Sequence, residues 1–378
     1  MKIAIFGGSF NPVHREHVNI VKAAASGLSL DKVIITPSHL TPAKTGRLSV
    51  SGEDRLHMCR LSFKDFIFTE ISDFELKRGG VSYSYITCRE FKKRYPNDDL
   101  YFIIGADMLK NFYSWKFPEE ILKCVKLAVC AREDASELEE YVRAFKERFH
   151  TDVVKFGYTG ADVSSTEIRV LAALGEETEE YLLPDTANYI KRRSLYKIRE
   201  TEGVKELLTP ERWAHTVRVA LTAAENCSRF GISEYKAVVA SALHDCAKYL
   251  KPDNPRLDGF VCPDGVPEQV VHQFAGAYVA EHTFGITDAE ILDAIRYHTS
   301  GKENMSPLGK LLYLSDLLEY GRDFEGIKKL RELFSLSLDE ALTVSLERQL
   351  NYLKSTGKPI YRLTERAYQY LKENKNEQ

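Results

Sequence analysis

The stretch KIAIFGGSFNPVHREHVNIVKAAASGL, residues 2–28, passes from an apolar strand pattern into a helical pattern across a pair of glycines. Residues 2–6 are apolar on both faces, which is typical of a strand buried in a parallel sheet. Beyond the turn, apolar residues recur at intervals of three and four, as on one face of a helix. This strand, turn and helix predict the start of a doubly wound α/β domain.

The same alternation continues to about residue 195. Further short apolar runs lie at 32–36, 65–71, 100–105, 126–131 and 152–156, and helical stretches lie at 15–28, 53–63, 83–95, 135–149 and 165–174. Most runs are separated by crossovers long enough for parallel pairing. We therefore predict a Rossmann-like, doubly wound parallel sheet over residues 1–196, followed by a polar linker at 197–208.

From residue 209 to 378 the strand pattern does not return. Apolar residues recur at three and four positions near 210–230, 233–250, 266–284, 287–299, 307–319, 338–355 and 362–373. This period predicts an all-α second domain built as a helical bundle.

Composition limits the partners of this 378-residue chain. Lys plus Arg number 52 against 55 Asp plus Glu, so we expect neither a nucleic acid nor an anionic membrane as partner. No apolar run reaches the length of a membrane span. The 7 cysteines are odd in number and scattered, which argues against a disulfide framework and fits a cytoplasmic location.

The first candidate site lies at the turn after the opening strand. The pair Gly7-Gly8 allows backbone amides to approach phosphate oxygens, and the helix that follows adds its partial positive charge. His14 and His17 stand three residues apart at the helix start, so both rings project from one face. Two imidazole donors suit the charge on a transferred phosphoryl group and on a departing pyrophosphate.

The combination GGSFNPVHxxH resembles the nucleotidylyltransferase superfamily, and further features resemble its nicotinate-nucleotide adenylyltransferases. The resemblance implies that ATP is bound by the first motif and by a second motif of the S-S-T-x-I-R type, with a basic phosphate contact between them: Gly7, Gly8, Ser9, Phe10, Lys44, Ser164, Ser165, Thr166 and Arg169. It places the acceptor at Ser82, Tyr83, Ser84, Gly105, Asp107 and Trp115. Together these favour a nicotinate pocket over a pantetheine-phosphate pocket, which stays open as an alternative.

The reaction that this resemblance implies belongs to NAD biosynthesis. The 5′-phosphate of nicotinate mononucleotide attacks the α-phosphorus of ATP, pyrophosphate leaves, and deamido-NAD forms. Since the attacking phosphate is already anionic, the reaction needs positioning and charge stabilisation, with Mg²⁺ on the phosphates and His14, His17, Lys44 and Arg169 as catalytic donors.

One position departs from the family. Its first motif is H-x-G-H, whereas the third position here is Glu16. A carboxylate beside a triphosphate is repulsive as well as bulky. This leaves an alternative, in which the first domain is a non-catalytic nucleotide sensor that regulates the second.

The second candidate site is a set of histidines and aspartates in the helical half. They are His215, His244, Asp245, His272, His298 and Asp316. They fall in different helical segments and can converge only in a bundle core, as metal ligands do. Buried aspartates in such apolar surroundings are costly unless a cation neutralises them.

This pattern resembles the HD-domain metal phosphohydrolases, and closer features resemble the HD-type symmetrical diadenosine tetraphosphate hydrolases. The resemblance implies two metal ions bridged by Asp245, with Asp245 and Lys248 as catalytic residues and Arg296 and Arg322 on the phosphates. Imidazole and carboxylate ligands suit iron or manganese, with zinc also open. Hydrolysis would give two ADP; a nucleoside monophosphate and a cyclic dinucleotide are the alternative substrates. We therefore predict a bifunctional enzyme, both a nucleotidyltransferase and a hydrolase.

Overall fold

The computed structural model describes residues 1–40, 48–131, 136–161 and 163–375. These residues divide into two compact units. One contains most of residues 1–195, and the other contains Val170–Glu176 and the residues from Tyr196 onward. Within the described ranges, no helix has the length and apolar character to span a bilayer.

The first unit is built on a parallel sheet, as predicted. Its strands, among the described residues, are β1 (Lys2–Gly8), β2 (Lys32–Pro37), β3 (Thr69–Ile71), β4 (Asp99–Gly105), β5 (Lys126–Ala131) and β6 (Val154–Gly157). Their order is β3-β2-β1-β4-β5-β6. Ile5 of β1 pairs with Ile34 of β2 on one side and with Phe102 of β4 on the other. The order reverses between β1 and β4, and ligands of such sheets bind beyond the carboxyl ends of the strands at this reversal.

Helices cover both faces of this sheet. The helices described between residues 1 and 195 are α1 (Arg15–Leu28), α2 (Gly52–Phe63), α3 (Phe74–Arg78), α4 (Ser84–Arg94), α5 (Ala106–Lys110), α6 (Pro118–Leu122), α7 (Ser136–Phe149), α8 (Ser165–Ala173) and α9 (Pro184–Arg193). Alternate residues of β1 point to opposite faces, so Ile3 and Ile5 pack in one core with Phe91 and Phe112. Because both faces are covered, the middle residues of the central strands are apolar on both faces.

Strand β3 is shorter than the sequence suggested. The apolar run at 65–71 predicts a strand of that length, but pairing begins only at Thr69. The hydroxyl of Thr69 donates to the carbonyl of Phe66 at 2.7 Å, and Phe66 N donates to the Phe63 carbonyl at 3.1 Å. These bonds close a turn after α2, so the residues between them do not join the sheet.

The second unit is helical, as predicted. Its helices are α10 (Pro210–Cys227), α11 (Glu234–Leu243), α12 (Glu268–His282), α13 (Ala289–Arg296), α14 (Pro307–Leu318), α15 (Ile327–Leu336), α16 (Leu338–Ser355) and α17 (Arg362–Lys375). Short 3-10 turns lie at Arg199–Thr201, Lys205–Leu207, Ser228–Phe230 and Pro255–Leu257. Helices α10 and α14 both begin with proline after a hydroxyl cap from Thr209 or Ser306.

Two features of this unit differ from expectation. Helix α15 was not predicted, because it is short and buries only Ile327, Leu330 and Phe334. Helix α11 ends at Leu243, short of the predicted end near 250, and a tighter turn follows. This early end places His244 and Asp245 directly after the helix.

Candidate active sites

The first site forms where β1 turns into α1. A Cβ on Gly8 would lie 3.2 Å from the Phe10 ring, so a larger residue would push this ring away. Phe10 itself is 1% exposed and takes a left-handed φ of 46°. Its ring centroid lies 5.1 Å from that of His17. Phe10 therefore packs against His17 from the protein interior.

The rings of His14 and His17 lie side by side, with centroids 3.8 Å apart. The backbone N–H of His14 donates to Nδ1 of His17 at 3.2 Å. Because Nδ1 accepts, the neutral ring of His17 carries its proton on Nε2 and can donate from there. Burial lowers the pKa of His14 to about 4, so this ring is neutral near pH 7 and does not repel its neighbour.

The residues of the second motif begin helix α8 and touch the first motif. Ser164 Oγ accepts from the N–H of Glu167 at 3.1 Å. Ser165 Oγ donates to the carbonyl of Pro12 at 3.0 Å. The hydroxyl of Thr166 accepts from Arg169 at 3.0 Å. The two motifs, far apart in sequence, thus meet at one place.

Two buried arginines lie beneath the loop that joins β1 to α1. Arg169 is 1% exposed and donates to the carbonyl of Asn11 at 2.7 Å. Arg55 is 5% exposed and donates to the carbonyl of Ser9 at 2.6 Å. Both guanidinium groups therefore hold the loop, and their positive charge favours an anion above it.

A cavity of about 750 Å³ adjoins this loop and holds most of the predicted acceptor residues. Its lining includes Gly7, Gly8, Ser9, Ser82, Tyr83, Ser84, Asp107, Trp115 and Lys116. Lys116 Nζ lies 4.4 Å from the Tyr83 ring centroid, so a cation and an aromatic face lie together. Gly105 ends β4 and is the N-cap residue of α5, and it is not part of the cavity lining. The volume lies within the ordinary range of small-ligand sites.

Lys44, the predicted basic contact, lies outside the described residues. Glu16 is half-buried, and both of its carboxylate oxygens accept hydrogen bonds. Its carboxylate accepts from the hydroxyl of Tyr158, and at 3.2 Å from the amide of Asn19.

The second site forms in the core of the helical unit. His215 lies on α10, His244 and Asp245 follow α11, His272 lies on α12, His298 follows α13, and Asp316 lies on α14. The structure brings all six together. His215, His244 and Asp316 offer ligand atoms within 4.8 Å of one another, and so do His244, Asp245 and His298.

Each of the two aspartates faces histidine nitrogens. Asp316 Oδ1 lies 2.9 Å from His215 Nε2 and 4.0 Å from His244 Nε2. Asp245 Oδ1 lies 3.4 Å from His272 Nε2 and 3.6 Å from His298 Nε2. Asp245 also reaches His244 Nε2 through its other oxygen at 3.2 Å, and His244 is the residue that the two groups share.

The donor set fits divalent metal ions. Nε2 of His215, His244 and His298 and Oδ1 of Asp316 are buried, and in the described part of the chain none of them has a hydrogen-bond partner at a suitable angle, although His215 Nε2 and Asp316 Oδ1 lie 2.9 Å apart. Such orphaned polar atoms are costly unless they serve another purpose. Burial alone would raise the pKa of Asp245, but the His244 and His298 rings hold it well below its usual range. Burial and the neighbouring His298 lower the pKa of His272 to about 3, leaving a neutral imidazole.

Cations surround this cluster. Lys248 Nζ lies 3.3 Å from Asp245 Oδ1, and Arg322 Nη2 lies 3.5 Å from Asp316 Oδ1. Arg212, which the sequence did not single out, also donates to Asp245. Arg296, half-buried at the end of α13, forms no hydrogen bond or ion pair within the described residues, so the structure does not join it to the cluster.

A carboxylate outside the predicted set orients one histidine. Glu319 is 1% exposed and its Oε1 lies 3.1 Å from His215 Nδ1. Oε2 accepts from Arg218 Nε and from the N–H of Gly321, both at 2.5 Å. Although burial opposes it, these donors lower the pKa of Glu319 to about 2. An ionised acceptor at Nδ1 leaves Nε2 of His215 free to bind metal.

Gln273, the residue after His272, is buried and bonds to the turn that follows α13. Gln273 Oε1 accepts from the N–H groups of Thr299 and Ser300 at 3.1 and 3.0 Å, and its Nε2 donates to Ser300 Oγ at 2.9 Å. The side chain thus holds the turn that carries His298.

A second cavity, of about 490 Å³, opens beside His298 and Asp316. It is lined in part by Tyr313, Arg322, Phe324, Arg348, Gln349 and Tyr352. The Arg348 guanidinium lies 4.5 Å from the Phe324 ring centroid. Aromatic rings, an amide and arginines are a suitable lining for a nucleoside and its phosphates.

Sequence reasoning missed Arg212, Gln273 and Glu319 as parts of the site. Each is a common polar residue in a helical segment, and such residues usually lie on the solvated surface. A partial signal existed for Glu319, because it follows Asp316 by three residues, a spacing that predicts one shared helix face.

Two family models match the chain, one in each half. The model described as cytidylyltransferase-like matches residues 5–171. The model described as HD domain matches residues 212–321. The HD domain carries divalent-metal ligands, in agreement with the cluster described above.

Individual relatives cover one half or both. A Mycoplasma genitalium protein named "probable nicotinate-nucleotide adenylyltransferase/Ap4A hydrolase" is 28% identical over 93% of this chain and 99% of its own length. A Clostridium tetani protein named "probable nicotinate-nucleotide adenylyltransferase" is 37% identical over 52% of this chain and 99% of its own length. A crystal structure of a "predicted HD superfamily hydrolase involved in NAD metabolism" from Clostridium acetobutylicum aligns with a TM-score of 0.43 at 28% identity, over 46% of this chain and 96% of that one.

Proposed function

The chain is an enzyme that belongs to the nicotinate-nucleotide adenylyltransferase family through its first half and carries an HD domain in its second, and we propose that it is bifunctional. The first half transfers an adenylyl group from ATP to nicotinate mononucleotide, giving deamido-NAD and pyrophosphate. The second half hydrolyses diadenosine tetraphosphate symmetrically to two ADP. We assign these activities to domains at 1–196 and 209–378, joined by 197–208.

The proposed transferase activity rests on the pair His14 and His17, which lies beside a glycine turn and a 750 Å³ cavity. The mononucleotide binds in the cavity, with its pyridine ring near Tyr83 and Trp115. Its 5′-phosphate attacks the α-phosphorus of ATP in line, and pyrophosphate leaves with the bonding electrons. The imidazole donors stabilise the developing charge, while Arg169 keeps the loop in place. Mg²⁺ accompanies ATP as part of the substrate.

The proposed hydrolase activity rests on the convergence of six histidine and aspartate side chains, several of which have buried ligand atoms without a hydrogen-bond partner among the described residues. We propose that they hold two ions, with Asp245 between them, and that the ions are iron or manganese. Divalent metals in such a site activate water and polarise a phosphate oxygen. Lys248 and Arg322 bind the phosphate chain, and the 490 Å³ cavity beside His298 accepts one nucleoside.

Two substitutions test the division of labour. His17→Ala should abolish adenylyl transfer and leave hydrolysis intact, whereas Asp245→Ala should do the reverse. His57→Ala and Asp253→Ala, exposed residues of the same types, serve as matched controls. If either active-site variant abolished both activities at unchanged thermal stability, the two-site proposal would be wrong.

Product analysis tests the substrate assignment. The protein is reconstituted anaerobically with ferrous iron, and separately with Mn²⁺, and given diadenosine tetraphosphate. ADP as the sole product supports the symmetrical cut, whereas ATP plus AMP, or no turnover with either metal, rejects it. Synthesis of deamido-NAD from ATP and nicotinate mononucleotide is measured on the same preparation.

The sensor alternative is not favoured, because relatives named for both activities cover nearly the whole chain. We also propose that the substrates are small-molecule nucleotides and that the enzyme is cytoplasmic. The 7 cysteines are odd in number and scattered along the sequence, which supports a reducing compartment.

A further inference from the structure

Neighbouring residues hold the Glu16 side chain in a defined position. It lies on α1 between the two site histidines, and its carboxylate accepts from the Tyr158 hydroxyl and the Asn19 amide. A Cβ on Gly160 would lie 2.0 Å from Glu16 Oε2 and 2.2 Å from the Tyr158 hydroxyl. A side chain at position 160 would thus displace both groups from these positions. The carboxylate is therefore held in place from three sides and does not swing freely in solvent.

This position lies at the carboxyl ends of β5 and β6. The N–H of Tyr158 donates to the carbonyl of Ala131, the last residue of β5, at 3.0 Å. The 750 Å³ cavity lies instead beside β1, β4 and α5. If the proposed reaction places the mononucleotide in that cavity, the adenosine of ATP must lie along the remaining part of the carboxyl edge, past His14 and Glu16.

The chemistry of ATP limits what can face this carboxylate. Its phosphates are anions, and its ether and ring atoms are acceptors, so both repel a carboxylate. Its hydrogen-bond donors are the ribose hydroxyls and the amino group of adenine. Of these two, the ribose is the one joined directly to the α-phosphate, which the proposed reaction places at His14 and His17. A carboxylate that already accepts one bond per oxygen keeps further lone pairs for such donors.

We propose that Glu16 accepts hydrogen bonds from the ribose hydroxyls of ATP and makes the first site selective for ribonucleotides. This inference rests on the proposed adenylyl transfer. Tyr158 is a positioning residue, because it holds the carboxylate ready in the free enzyme. Burial, and then the bond to Glu16, raise the pKa of Tyr158 to about 12, so it stays a donor at neutral pH.

The test compares binding of ATP and of 2′,3′-dideoxy-ATP, which lacks both hydroxyls, to the full-length chain by titration calorimetry. The wild type should bind ATP more tightly by roughly 10- to 100-fold, as expected for hydrogen bonds to a charged acceptor. Glu16→Gly should bring this ratio below about threefold. Glu16→Gln keeps an oxygen acceptor without the charge and should give an intermediate ratio, and Tyr158→Phe should lower the ratio as well.

The chain offers a matched control, because Glu137 accepts from Tyr141 at 2.8 Å on the exposed face of α7. Glu137→Gln should leave the ratio unchanged. An equal or larger ratio in Glu16→Gly than in the wild type would overturn the role of Glu16 alone. Absence of ATP binding by the wild type would instead overturn the proposed transferase together with this inference. Thermal unfolding of each variant separates these outcomes from loss of the fold.

Discussion

Glu319→Gln should weaken divalent-metal binding in the helical unit roughly 5- to 150-fold and leave adenylyl transfer unchanged. In the wild type, Glu319 accepts on both sides: Oε1 faces His215 Nδ1 at 3.1 Å, and Oε2 accepts from Gly321 N. A glutamine can satisfy the Gly321 amide only with its oxygen. Its NH₂ group must then face His215.

The consequence follows from the tautomer of His215. An NH₂ group at Nδ1 requires that nitrogen to accept, so the ring proton moves to Nε2, the atom that faces Asp316. To bind a metal through Nε2, the His215 ring must move its proton back to Nδ1. The Nδ1–H group and the glutamine NH₂ group are then two buried donors that face each other. The loss of one buried hydrogen bond costs about 1–3 kcal/mol, which corresponds to roughly 5- to 150-fold in affinity.

The assay is competition for the metal between the protein and a chromophoric chelator, with hydrolysis measured against metal concentration. Glu332→Gln, an exposed carboxylate of the same unit, is the matched control. Thermal unfolding should change little, because Arg218 is 37% exposed and can be hydrated. Equal metal affinity in Glu319→Gln and wild type would refute the orienting role of this carboxylate.

Three further outcomes are expected. Arg169→Met should lower kcat/KM for adenylyl transfer by roughly 10- to 100-fold, because the loop loses a charge-assisted hydrogen bond. Hydrolysis by the same preparation should stay unchanged. An unaltered rate of adenylyl transfer would contradict the role of this arginine. Gln273→Ala should lower the free energy of unfolding of the helical unit by about 2–4 kcal/mol, because two buried amides lose their acceptor, and urea denaturation measures this. Stability should fall by about 2 kcal/mol from pH 7.5 to 5 through His14, because its pKa is about 4 folded and near 6.5 unfolded, so the unfolded chain binds the proton first. His14→Gln should remove this component of the stability profile, and an unchanged profile would contradict it.

The sequence determined the elements and most of the reacting groups. The period of apolar residues predicts the strands and helices because it reflects which face of each element is buried, a local property. The glycine pair with His14 and His17 identifies the phosphate loop for a similar reason, since these residues act within one turn of each other. The six histidines and aspartates could be named because polar residues in apolar helices need a reason to be buried.

Only the tertiary structure decided how these groups are held. Arg169 could be read as an open anion clamp, whereas packing buries it beneath the Asn11 carbonyl. Glu16 could point at ATP or at solvent, and the approach of Tyr158, far along the chain, fixes its direction. Glu319 became part of the metal site only because α10 and α14 cross near His215. Such contacts depend on the packing of elements distant in sequence, and no local pattern encodes the distance between two side chains that meet only after the chain has folded.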